Sequence, residues 1–247
     1  MSERTWREHW EHQADEWLDL TTDDPFFDLF NKPAFLELVP EPGALTLDVG
    51  CGEGRMAREL TARGHRVVGV DGSPSLARLA AEHPQPTTVA TADITRLPIA
   101  SAVADLVVCF MVLMDVEDLV RSVTELARVV APGGVVCAAI LHPIITSGLF
   151  VPDDPNRTFF MGEYRTPMRH VIDIGRPNGQ LFPFRVSHRP IEDYSRAFEA
   201  AGLPITALRE PRPSDELVAE RPEFSNYQRV PDFLHLRARR VDRDGLC

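Results

Sequence analysis

The sequence predicts an α/β fold, a doubly wound, mostly parallel seven-stranded sheet covered by helices on both faces. Three observations predict it. Short apolar runs alternate with helical stretches from Ala44 to Leu141, the pattern of parallel strands buried on both faces. A glycine-rich turn, GCGEG, follows the first run and opens a helical stretch. The length, 247 residues, suits one sizeable α/β domain and would crowd two.

Taken in order, residues 1–40 read as helical and aromatic. Trp6, Trp10 and Trp17 are spaced by four and then seven positions, so they share one helical face. That face either packs as core or closes a pocket, and residues 1–40 are read as a helical lid on a domain spanning 41–247. ALTLDV, from Ala44, is the first strand, and Arg55 to Arg63 the helix after the glycine turn. Arg66–Val70 is the second strand and Pro74–Glu82 the next helix, with Ser73 as its N-cap. Thr87–Thr91 and Ala104–Phe110 are strands three and four. A helix over Val116–Val130 is closed by APGG, and Gly134–Leu141 is strand five. Right-handed crossovers then place any ligand at the carboxyl ends of these strands.

Residues 142–187 break the alternation. They are rich in Pro and Gly, carry Phe150, Phe159, Phe160 and Tyr164, and contain β-like runs near Arg169–Ile174 and Phe182–Val186. They are read as an insertion after strand five that roofs the crevice. A helix at Ile191–Ala201 and strands near Pro204–Arg209 and Phe233–Ala238 complete the sheet.

Composition narrows the function. Apolar residues at 44% and charged residues at 26% are ordinary for a globular protein. A net charge of −11 argues against a nucleic-acid partner, which needs a dense Lys/Arg surface. No stretch is long and apolar enough to span a bilayer. The charged start MSERTWREHW lacks the apolar core of a signal peptide, so a cytoplasmic location is expected. Cys51, Cys109, Cys137 and Cys247 form no metal-ligand spacing, and the first three lie in or beside apolar runs as structural thiols.

LDVGCGEG, Leu47 to Gly54, carries the chemistry. Glycines at 50, 52 and 54 let a ligand approach the backbone where a Cβ would intrude. The dinucleotide fingerprint would place Gly or Ala at position 55, where this chain has Arg55, so a pyrophosphate ligand is disfavoured. Asp71 ends the second strand, where a carboxylate accepts hydrogen bonds from both hydroxyls of a ribose. Asp93 follows the third strand, in reach of an adenine amino group.

Through LDVGCGEG, GVDGS, ADITRLP, ADLVVCFMVL and RVVAPGG, residues 44–141 resemble the class I S-adenosylmethionine-dependent methyltransferases. HRPIEDYSRAFEAAGL is similar to the small-molecule branch of that superfamily. The resemblance implies the cofactor S-adenosyl-L-methionine and no metal. It implies that Asp48, Gly50, Cys51 and Gly52 hold the methionine end, and that Asp71 holds the ribose beside Gly72 and Ser73. Asp93 and Ile94 would flank the adenine, and Phe110 and Met111 would lie near the sulfonium.

An acceptor hydroxyl needs a proton acceptor, which points first to histidine. His142, directly after strand five, and His188, just after the insertion, are the candidate bases; each is alternatively a structural residue. Asp115 and Tyr164 are weaker candidates. The acceptor pocket is expected from Trp10, Trp17, Met114 and Tyr164, and such surfaces favour an apolar or aromatic small molecule. The expected reaction is O-, N- or C-methylation, the alternative being a protein of the same fold that uses bound S-adenosylmethionine as a cyclase would. The oligomeric state is not legible.

Overall fold

A computed structural model describes residues 5–21, 24–85, 87–151, 154, 156–175 and 181–241. Cys247 lies outside them. The sheet has strands β1 (Thr46–Val49), β2 (Val67–Asp71), β3 (Thr88–Thr91), β4 (Ala104–Phe110) and β5 (Val130–Leu141). These five run parallel in the order β5-β4-β1-β2-β3. Strands β6 (Gly148–Phe150) with β7 (Phe159–Met161), and β8 (Met168–Gly175) with β9 (Leu181–His188), form two separate antiparallel pairs. The main sheet is completed by β10 (Ile205–Arg209) and by β11 (Phe233–Arg239), which inserts antiparallel between β5 and β10.

Helices α1 (Trp6–Thr21), α2 (Lys32–Leu36), α3 (Arg55–Ala62), α4 (Pro74–Glu82), α5 (Leu119–Val129), α6 (Pro143–Thr146), α7 (Ile191–Ala200) and α8 (Asp215–Glu220) surround it. Helix α4 has the range its sequence predicts, because Pro74 fixes the first turn and the Ser73 hydroxyl accepts from the Leu76 N–H. Helix α5 starts three residues later than Val116. Asp118 is its N-cap and accepts from the Arg121 N–H, leaving Val116 and Glu117 outside. Pro132 and Gly133 do not separate α5 from a later strand. Strand β5 begins at Val130 and absorbs them as an irregularity opposite Ala104–Leu106. A π-helical turn at Phe26–Asn31 and α2 fall within residues 1–40, read as helical, whereas α6, α8, β6 and β7 are missing from the sequence reading. Each is short, and none carries a readable period.

Strand alternation divides the core. Val107 and Cys109 of β4 face a cluster with α5 and α7 that includes Val123, Leu126, Tyr194 and Phe198. Leu106, Val108 and Phe110 face the opposite cluster, with Phe35, Leu36, Met56 and Leu60. Each such side chain, buried from water, contributes roughly 1.5–3 kcal/mol. Cys51, Cys109 and Cys137 are buried free thiols, and burial pushes the Cys137 thiol up to about 12. The strand order reverses on either side of β1, so the crevice opens at the carboxyl ends of β1 and β4.

Candidate active site

The glycine turn forms the floor of that crevice. Gly50, Gly52 and Gly54 adopt φ of +76°, +56° and +90°, a region that side chains rarely enter. A Cβ on Gly50 would lie 2.3 Å from the Val112 side chain. A Cβ on Gly52 would meet no protein atom within 4 Å, so its backbone is open to a ligand.

Asp71 ties this turn to the next one. Its carboxylate accepts from the Gly52 N–H and the Ser73 N–H, each at 2.8 Å. Burial raises its pKa against these two bonds. Asp48, in β1 beneath the turn, is 1% exposed, and neither of its oxygens has a hydrogen-bond partner among the described residues. Burial, reinforced by the nearby Asp71 and Glu53 carboxylates, raises its pKa to about 7. Asp93 is exposed, and its Oδ1 accepts from the Thr95 N–H and hydroxyl at 2.7 Å. Met111, just past β4, has φ +60°, a conformation unusual for a side chain of its size.

One cavity of about 1210 Å³ joins these groups. Asp48, Gly50, Cys51, Gly52, Asp71, Gly72, Ser73, Asp93, Ile94, Phe110 and Met111 all line it, as do Trp10, Trp17 and Asp115. Helix α1 lies across the cavity and is latched to the loop after β2. Glu11 accepts from the Ser73 hydroxyl (2.5 Å) and from the N–H and hydroxyl of Ser75 (3.1 and 2.7 Å), which lowers the Glu11 pKa. Arg7 donates to the Gly72 carbonyl at 2.8 Å. Sequence reasoning missed Arg7, Glu11 and Glu117, which also line the cavity. Their partners are remote along the chain, so no local spacing announces them.

Four sequence-based assignments need correction, because the structure places these residues outside the cavity lining. His142 is 3% exposed; its Nδ1 accepts from the Ile144 N–H and its Nε2 faces Glu210 at 2.9 Å. Burial lowers its pKa, against the pull of Glu210. His188 is fully buried between the Thr146 hydroxyl (2.8 Å) and the Tyr164 carbonyl (2.6 Å). Both rings are committed to fixing the backbone after β5 and around the insertion. Tyr164 is held there too, its hydroxyl accepting from the Ile191 N–H. Met114 is 3% exposed in the core. The insertion itself also differs from a roof: no described residue of 142–187 lines the cavity. Instead Val186 of β9 packs with Trp10, Trp17 and Leu20, and Arg185 lies 4.7 Å over the Trp6 ring. The insertion braces α1 from outside.

Comparison with known proteins bears on this geometry. Residues 47–138 match the family model of a methyltransferase domain. A malonyl-[acyl-carrier protein] O-methyltransferase of Serratia marcescens is 33% identical over 100 residues, 40% of this chain and 39% of that protein. A probable S-adenosylmethionine-dependent methyltransferase of Mycolicibacterium smegmatis is 31% identical over 164 residues, 65% of this chain and 58% of the relative. A crystal structure of an S-adenosylmethionine-dependent methyltransferase from Mesorhizobium loti superposes with a TM-score of 0.70 at 25% identity, covering 84% of this chain and 96% of that one. These likenesses place a methyltransferase domain at residues 47–138 and the fold of the S-adenosylmethionine-dependent methyltransferases over most of the chain. The chain spans 39% and 58% of the lengths of these two curated relatives. No helix among the described residues is long and apolar enough to cross a membrane.

The cofactor of these relatives is S-adenosylmethionine, and the cavity fits it on two observations. Asp48 has two orphaned, buried oxygens, and a buried carboxylate is stable only when a cation or hydrogen-bond donors reach it. Gly52 leaves its flank open, as close passage of a ligand requires.

Proposed function

We propose that this protein transfers the methyl group of S-adenosylmethionine to a small-molecule acceptor. The observation that carries the reading is the single cavity shared by the glycine turn, Asp71, Asp93 and the mouth of β4, the ordered constellation an adenosyl sulfonium needs.

In this reading Asp71 accepts from the ribose hydroxyls with the lone pairs that Gly52 and Ser73 leave free. Asp93 and Ile94 flank the adenine. Gly50, Cys51 and Gly52 shape the methionine end, and Asp48 supplies the negative charge beneath it. Gly72 and Ser73 fix the turn beside Asp71. Phe110 and Met111 form the wall near the reacting centre, and Trp10 and Trp17 supply apolar surface to the acceptor. The bound cofactor supplies an already activated methyl group, so the protein's contribution is to align, to exclude water and to take up a proton. Helix α1, latched through Glu11 and Arg7, closes the cavity over the reactants.

Isothermal titration with S-adenosylmethionine and S-adenosylhomocysteine tests the first half of the proposal. Binding of both at micromolar to sub-millimolar concentration is expected, and no binding at millimolar concentration would overturn it. Formation of S-adenosylhomocysteine with a panel of phenols, amines and enols tests the second half.

A further inference from the structure

Asp115 is a buried acid of the cavity wall that the cofactor assignment does not use, and unlike Glu53, which is paired with Arg58, it has an oxygen without a partner among the described residues. It ends the 3-10 turn Leu113–Asp115, five residues past β4, and lines the cavity together with Met111. It is 8% exposed. Trp10 donates a hydrogen bond to it, while its Oδ2 has no partner among the described residues.

Its surroundings hold that carboxyl firmly. Arg189, following β9, donates to the carbonyls of Met114 (2.7 Å) and Val116 and so clamps the turn that carries Asp115. The charged groups facing it are Arg189, Arg185 of β9 and Glu117, with Tyr194 of α7 close by. Burial pushes the Asp115 carboxyl well above its ordinary range, against the pull of the two arginines. A proton acceptor works best when its affinity for the proton lies near that of the operating solution. A buried oxygen without a partner is unfavourable unless a ligand satisfies it.

We propose that the Asp115 carboxylate is the proton acceptor for a neutral acceptor hydroxyl, of the phenol or enol class. The acceptor oxygen forms its bond to the methyl carbon as the carbon–sulfur bond breaks, and the electron pair stays on sulfur. The hydroxyl proton passes to the carboxylate and then to solvent when the products leave. Carboxylates outnumber arginines along the cavity lining, so a neutral acceptor is favoured over a carboxylate or phosphate. Trp10 does double service, orienting Asp115 with its indole and bounding the space where the hydroxyl-bearing ring would lie. This assignment rests on the methyltransferase reading of the same cavity.

The test compares the wild-type protein with Asp115→Asn and Asp115→Glu, using catechol and 2-naphthol as probe acceptors. All three proteins are first titrated with S-adenosylhomocysteine; affinities within about threefold show intact folding and an intact cofactor half. Turnover by Asp115→Asn is then expected to fall on the order of 10²–10⁴-fold, with partial recovery in Asp115→Glu and loss of the alkaline-rising limb of the wild-type pH profile. Equal turnover with an unchanged pH profile overturns the proposal. A second readout needs no acceptor. The tryptophan fluorescence of the S-adenosylhomocysteine-loaded protein should show a transition above the ordinary carboxylate range that Asp115→Asn lacks. The His9 ring lies 5.8 Å from that of Trp10 in both proteins, so the readout is the difference between them. If neither probe is methylated, this titration decides, and its absence overturns the proposal. Failure of the wild-type protein to bind the cofactor would instead defeat the methyltransferase reading.

Discussion

Replacing Asp48 by Asn separates what the buried carboxylate does for folding from what it does for binding. The side chain is 1% exposed with both oxygens unpartnered. Its pKa rises from the ordinary 3.8 to about 7 on folding, an interval worth about 4 kcal/mol at most. The sign follows from proton counting. Between pH 4 and 7 the folded state holds a proton that the unfolded chain has released, so stability falls as pH rises through that window. Above pH 7 the full penalty is present. The ligand-free Asn variant carries no such charge and should lose this slope, ending more stable than wild type relative to its own value at pH 4. Cofactor binding should behave oppositely. A cationic ligand favours the ionised carboxylate, so wild-type affinity strengthens as pH rises towards 7, and the Asn variant binds more weakly with a flatter profile. Urea denaturation from pH 4 to 8 and titration calorimetry with S-adenosylmethionine measure the two effects. Parallel stability profiles for the two proteins would refute the reasoning, because Asp48 would then not be a desolvated acid.

Gly50→Ala places a Cβ 2.3 Å from the Val112 side chain at φ +76°. A loss of about 1–3 kcal/mol in thermal or chemical unfolding is expected, together with loss of cofactor binding. Asp71→Ala removes the acceptor shared by the Gly52 and Ser73 N–H groups and should weaken cofactor affinity by about 1–3 kcal/mol; unchanged affinity by calorimetry would place the ribose elsewhere. Glu11→Ala removes three latch bonds at Ser73 and Ser75, and hydrogen exchange should show faster opening of α1 with little change in the stability of the sheet. His188→Asn should lower stability by about 1–3 kcal/mol through stranded Thr146 and Tyr164 partners, while cofactor affinity stays near wild type.

The parts of the fold legible in the sequence are those whose signal is local. LDVGCGEG announced itself because a buried strand, three glycines and a following helix are contiguous, and α4 did so because Pro74 and Ser73 mark its start. The seven-stranded, mostly parallel sheet followed from apolar runs in the right order. The acceptor side was less legible because its residues are decided by tertiary packing. His142 and His188 have the right chemistry and stand near strand ends, yet burial and partners on both nitrogens, one backbone and one side chain each, consume both rings. Asp115 looked weaker than either, and only the turn after β4 and the crossing of α1 bring it to the cavity. The aromatic spacing of α1 showed a shared face, whereas its latch through Glu11 joins positions more than sixty residues apart. The bracing role of 142–187 has no sequence pattern, since it depends on Val186 and Arg185 meeting the far side of the Trp face.

The insertion of β11 between β5 and β10 sets an order of assembly. Strand β5 is an interior strand only once Phe233–Arg239 have paired with Val135–Leu141. Until a ribosome has released those residues, the emerging polypeptide carries the Val136–Ile140 segment as a bare, apolar edge with its amides and carbonyls unpaired. Roughly ninety intervening residues must be made before that edge is sealed, so the interval of greatest exposure to self-association falls late in synthesis. A chain halted before Phe233 should therefore aggregate through β5, however well its glycine turn is formed.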